Sequence, residues 1–135
     1  RVDTSAERAL ATFAKELYYQ GDNNVTIMWG TTYNSVAAWI AGSGKGAGSL
    51  QANPLFNNAA THDYSIQSGS PAINAGKDMS SVAFAFQTAF GASLLKDRAG
   101  VDRPNGIWDI GAYEYVSGVP IDTTPPSAPT GLVIN

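Results

Sequence analysis

Three turn-rich segments in the second half of the chain constrain its fold more than any other feature. They read SPAINAG at 70–76, DRAGVDRP at 97–104 and DIGAYEY at 109–115. Gly, Pro, Asn and Asp provide the backbone conformations and local hydrogen bonds that turns need. Upstream of these segments, the stretches 49–51 and 64–67 and the residue Phe56 are predicted to be short strands divided by polar turns.

In that order, the three segments resemble the closing part of secreted bacterial right-handed parallel β-helix proteins, the pectate-lyase-like solenoids. Upstream, NPLF at 53–56 and DYSI at 63–66 resemble further elements of that family, with Asn at 53 and 74 where the family has Asp. The resemblance covers positions 16–115. It implies a mainly β fold, made of the C-terminal coils and cap of a parallel β-helix with two or three short helices. A compact α+β domain is the alternative.

Helical periodicity keeps that alternative open. Apolar residues recur near the 3.6-residue period over 4–17, where Thr4 and Glu7 form a capping-box pattern. A second helix is predicted over 35–41, capped by Asn34 or Ser35 and ended by Gly42. A third is predicted from Asp78 or Ser80 to Phe90, with Gly91 as its stop. The glycine-rich stretch 42–48 is predicted to be a flexible loop, because it lacks the spacing of a phosphate-binding loop.

The sequence predicts three regions along the chain. Residues 1–116 form the β-helix segment and cap. Residues 117–129 are rich in Pro and Thr and read as an extended linker in polyproline geometry. Residues 130–135 resemble the start of a fibronectin type III domain, which indicates that the chain is part of a larger multidomain protein.

Composition excludes several classes of partner and chemistry. The 135 residues carry a formal net charge of −3 and no basic run, so nucleic acid and anionic membranes are poor partners. No apolar stretch approaches the ~18 residues of a membrane span. The chain has no cysteine, which excludes disulfides, thiolate metal sites and cysteine nucleophiles. Together with the resemblance, the low charge indicates a secreted or cell-surface bacterial protein.

The densest group of ionisable side chains has two interpretations. Its members are Asp97, Asp102, Arg103, Asp109 and Glu114. We expect a structural lock, in which Arg103 is largely buried and pairs with Asp109 or Glu114, since a carboxylate fits the planar guanidinium fork. The alternatives are a calcium site or a catalytic carboxylate pair. No metal or other cofactor is assigned, with calcium left as a possibility.

Four side chains are candidates for contact with carbohydrate: Tyr33, Lys45, His62 and Trp108. Tyr33 and Trp108 are flanked by turn residues, so their rings are the best placed to stack on sugars, although most aromatic residues are expected in the core. His62 is the sole histidine and follows no nucleophile motif, so an exposed turn residue is the simpler interpretation.

The resemblance implies a polysaccharide-active parent protein, a lyase or a glycosidase, in which this segment is mainly structural or contacts carbohydrate. No catalytic residue can be assigned, and we expect no turnover from the chain alone. The alternative is a structural or adhesive surface module without catalysis. In either case the expected partners are polysaccharide and further coils, supplied by the parent chain or by a neighbouring chain.

Overall fold

The structure of the chain is a computed structural model, and it describes residues 5–104 and 106–117. Three α-helices, one 3-10 helix and six short strands occur in these ranges. The helices are α1 (Ser5–Leu10), α2 (Val36–Ser43), the 3-10 helix (Ala59–Thr61) and α3 (Ser80–Phe90). The strands are β1 (Leu17–Tyr18), β2 (Ile27–Trp29), β3 (Thr31–Tyr33), β4 (Leu50–Gln51), β5 (Phe56–Asn58) and β6 (Asp63–Ile66).

The strand pairing contradicts the predicted β-helix. In the described ranges the six strands form three separate two-stranded sheets. β1 and β4 pair in parallel, whereas β2–β3 and β5–β6 are antiparallel. A β-helix needs strands bonded to the coils above and below them, but each strand here has a single partner. The chain is a compact α+β domain, so the alternative expectation is correct and the predicted solenoid coils and cap are wrong.

The capping residues in the sequence correctly predicted two of the three α-helices, α2 and α3. Ser35 is the N-cap of α2, where its Oγ accepts a hydrogen bond from the backbone N–H of Ala38 at 3.1 Å. The helix continues past Gly42, the predicted stop, and ends at Gly44, whose φ is 67°. The predicted helix ending at Phe90 and stopped by Gly91 is confirmed as α3.

The predicted helix over 4–17 is wrong beyond Leu10. Ala14 forms an isolated parallel bridge with Ala47, and Leu17 belongs to β1. Residues 14–18 therefore pair with the segment around β4 instead of continuing the helix. Tertiary contacts can outweigh the helical propensity of so short a segment.

Trp39 of α2 lies at the centre of the core. It is 2% exposed and packs with Val25 and Val36. The rings of Phe13, Tyr18 and Trp29 surround it edge-on, with centroid distances of 5.8, 5.9 and 6.4 Å. Edge-to-face packing of this kind adds about 0.5–1.5 kcal/mol per pair beyond area burial.

The predicted flexible loop is wrong at Gly46. This residue is buried, and its N–H donates to the carbonyl of Phe13 at 3.1 Å. A Cβ at this position would lie 2.3 Å from Cζ3 of Trp39. The glycine-rich stretch therefore lets the backbone approach the core tryptophan.

Candidate functional site

Arg103 and Glu114 form a buried ion pair in the last third of the described chain. Their side chains are 10% and 6% exposed, and Nη1 of Arg103 pairs with Oε1 of Glu114. Nη2 of Arg103 donates to the carbonyl of Gly111 at 3.1 Å, and the guanidinium lies 4.9 Å from the ring centroid of Trp108. The guanidinium is thus surrounded by the Glu114 carboxylate, the Gly111 carbonyl and the Trp108 ring. These contacts compensate for the loss of hydration when the cation is buried.

Asp97 and Asp109 complete this group as acceptors for backbone N–H donors. Oδ1 of Asp97 accepts from Ala99 and Val101, both at 2.8 Å, and its Oδ2 accepts from Glu114 at 2.8 Å. Asp97 is 8% exposed and Asp109 is 5% exposed. We call Asp97, Arg103, Asp109 and Glu114 the carboxylate lock.

The carboxylate lock ties the three turn-rich segments together. Oδ1 of Asp109 accepts from the N–H of Asn74 at 2.7 Å, and its Oδ2 accepts from the N–H of Tyr115. Backbone bonds reinforce this contact, since Ile110 N donates to the carbonyl of Ala72 at 2.9 Å. Here side-chain carboxylates, rather than a neighbouring strand, accept the hydrogen bonds of these backbone N–H groups.

Asp102, a fifth member of the predicted group, lies outside the lock. It pairs with Lys96 at 2.6 Å, and these side chains are 81% and 54% exposed. An exposed pair of this kind contributes little to stability. Within the described ranges, no group of three or more His, Asp or Glu side chains could hold a metal ion. Calcium binding stays a prediction.

Burial raises the pKa of the Glu114 carboxyl above its ordinary value, and the nearby Asp109 and Asp97 add to the rise. The Asp109 N–H and the Arg103 charge act in the opposite direction, but they offset burial only in part. Glu114 therefore binds its proton more tightly in the folded chain than in the unfolded chain.

This shift predicts the sign of a pH dependence. An acid with a raised folded pKa contributes most stability below its unfolded pKa, and the contribution is lost as pH rises through the folded value. We expect the free energy of unfolding of the wild type, relative to Glu114→Gln, to fall as pH rises from about 4. Urea denaturation of both proteins across this range measures the difference. A difference that grows with pH would contradict the assignment.

The four carbohydrate-contact candidates do not converge on one site. Tyr33 is half-buried in the core beside Gly42, and Nζ of Lys45 donates to the carbonyl of Ala9 at 3.0 Å. His62 is exposed at the end of the 3-10 helix, with its ring centroid 6.2 Å from that of Tyr64. Trp108 is half-buried under Arg103. Contact with carbohydrate through any of them stays a prediction.

Trp108 also lines an open cleft of about 440 Å³ that is rich in cations. Lys15, Lys77, Lys96 and Arg103 contribute to its wall, together with Asp109. Arg103 and Lys96 are each paired with a carboxylate.

A second cleft, of about 490 Å³, has uncharged walls. We call it the aromatic cleft. Its main side chains are Leu17, Tyr19, Phe56, Tyr64, Ile66 and Tyr113. Tyr19, Phe56 and Tyr64 are 41%, 37% and 45% exposed. The sequence predicts that most aromatic residues lie in the core and does not indicate this cleft, because its walls come from β1, β5, β6 and the 109–115 segment. The Tyr-Tyr pair at 18–19, with adjacent side chains on opposite faces of a strand, was the available signal.

In the described part of the chain, no helix is both long and apolar enough to cross a membrane. Comparisons with protein-family models, with curated proteins and with solved structures find no match for the chain.

Proposed function

We propose that this chain is a structural assembly module of a secreted or cell-surface protein, without catalysis of its own. The observation that carries the proposal is the uncharged, exposed apolar face of α3. Val82 and Phe90 are 51% and 72% exposed and lie about 80° apart around the helix axis, and Leu94 just beyond the helix is 44% exposed. Phe84, 54% exposed, lies on a different side of the helix. Apolar side chains grouped in this way are typical of a surface that a partner covers.

The position of α3 supports this proposal. Among its eleven residues, Ala83 alone is buried, at 1% exposure. A helix of this length is marginal in water by itself, so packing must stabilise it. Phe86 and Phe90 pack ring to ring with centroids 4.8 Å apart, which holds Phe90 in place while it remains exposed.

A second copy of the chain is the partner that this face fits. α3 contains no Asp, Glu, Lys or Arg, so two copies can meet there without placing like charges in contact. A two-fold contact sets the same patch against itself and needs no further complementarity. The lock carboxylates support the non-catalytic part of the proposal, because their oxygens already accept hydrogen bonds from the chain.

The assembly is tested by sedimentation equilibrium over a range of protein concentrations. We expect a monomer–dimer equilibrium in the wild type. The double variant Val82→Ser, Phe90→Ser should raise the dissociation constant about tenfold or more, because each buried apolar side chain contributes about 1.5–3 kcal/mol. Met28→Ser is the matched control, since Met28 is 82% exposed and belongs to β2 rather than to α3. A wild type that stays monomeric, or an equal effect in the control, would rule out this surface.

A further inference from the structure

The aromatic cleft has walls suited to one kind of occupant. None of its lining residues is charged, and the lining is mostly apolar. An ordinary extended peptide would bury N–H groups against these walls, and a buried donor without an acceptor is costly. Proline carries no N–H, so a proline-rich segment avoids much of that cost.

The aromatic side chains of the cleft are held in fixed positions. The rings of Phe56 and Tyr64 meet edge to face, with centroids 5.3 Å apart and an interplanar angle of 79°. The hydroxyl of Tyr113 accepts from Nε of Arg98 at 2.7 Å, and that of Tyr19 donates to the carbonyl of Gly21 at 3.2 Å. Preorganised aromatic ridges are the surfaces that bind polyproline II segments in known recognition modes.

The sequence itself supplies such a segment. Residues 125–129 read PPSAP, and they follow the last described residue, Ser117, by eight positions. Tyr113, on the cleft wall, lies four positions before Ser117. At the polyproline rise of about 3.1 Å per residue, the eight steps from Ser117 to Pro125 could span up to roughly 25 Å.

We propose that the aromatic cleft binds the proline-rich segment 125–129 of its own chain. A tether of this length gives an effective concentration in the millimolar range, so binding within one chain prevails over binding between chains in dilute solution. The hydroxyl of Tyr64, which bonds to no other described residue, supplies a donor for a peptide carbonyl at the cleft. The proposal concerns a surface distinct from α3 and does not depend on the assembly through that helix.

The test uses the full 135-residue chain and backbone amide NMR. The double variant Pro126→Ala, Pro129→Ala should shift the amide resonances of Tyr19, Phe56, Tyr64 and Tyr113. Pro120→Ala is the matched control, because it changes a tail proline outside the PPSAP segment and should leave these resonances in place. A synthetic peptide of residues 123–131, added to the double variant, should return them toward their wild-type positions. Tyr64→Ala should abolish this response, whereas Met28→Ala should not.

Three results would overturn the proposal. The first is cleft resonances that do not respond to the proline changes. The second is cleft shifts that depend on protein concentration in the Val82→Ser, Phe90→Ser variant, in which assembly through α3 is weakened. Such shifts would assign the bound segment to a second copy. The third is a cleft that responds to a neutral oligosaccharide such as cellohexaose but not to the peptide, which would make it a sugar site. Loss of dimerisation in the α3 variants leaves all of these readouts unchanged, so the two proposals fail separately.

Discussion

Arg103→Ala should lower the free energy of unfolding by about 3–5 kcal/mol, because it leaves the Glu114 carboxylate buried without its partner charge. It also removes the guanidinium from the face of Trp108 and from the Gly111 carbonyl. Arg103→Lys should have a smaller effect, since a lysine keeps the charge but cannot reproduce the planar fork. Urea denaturation at neutral pH measures both losses.

Lys96→Ala provides the matched control for that experiment. It breaks the Lys96–Asp102 pair, which lies in the same region but is exposed, and it should cost no more than about 1 kcal/mol. Similar losses in Lys96→Ala and Arg103→Ala would show that burial does not determine the contribution of Arg103. The carboxylate lock would then not be the element that holds this part of the fold.

Gly46→Ala should be the most damaging single-methyl substitution in the glycine-rich stretch. The added Cβ would meet the Trp39 ring at 2.3 Å, and the φ of 74° is itself unfavourable for alanine. Left-handed strain of about 1–2 kcal/mol adds to an overpacking cost of about 1–3 kcal/mol. We therefore expect a loss of about 2–5 kcal/mol in thermal or urea unfolding.

Gly44→Ala separates the two contributions to that loss. Gly44 has nearly the same backbone conformation, with φ of 67°, but an added Cβ would meet no atom within 4 Å. Gly44→Ala should therefore lower the free energy of unfolding by the backbone strain alone, about 1–2 kcal/mol. If both variants lose the same amount, contact with Trp39 is not what requires glycine at position 46.

Local signals in the sequence predicted helices better than they predicted the fold. Ser35 and Gly91 mark helix ends because capping depends on residues close in the chain. The pairing of Leu17 with Leu50, across 33 positions, depends on packing that no local pattern encodes. The turn motifs were compatible with a solenoid, but strands of two to four residues with one partner each do not stack into coils.

The candidate sites differ in the same way. Arg103 and Glu114 are eleven residues apart, and complementary charge predicted that they would meet. The aromatic cleft joins Tyr19 to Tyr64 and Tyr113 across most of the described chain. Sequence periodicity cannot distinguish an aromatic ring on the wall of an open cleft from one in the core. The cleft therefore could not be predicted from the sequence. Apart from Ser117, the predicted linker (117–129) and the fibronectin-like start (130–135) lie outside the described residues.

The carboxylate lock also determines how the C-terminal third of the described chain opens. Asp97 holds the N–H groups of Ala99, Val101 and Glu114, and Asp109 holds those of Asn74 and Tyr115. Loss of either carboxylate would leave backbone N–H groups on more than one segment without their acceptor at once. We therefore expect the amide hydrogens of the three segments to exchange as one cooperative unit, although hardly any regular secondary structure connects the segments.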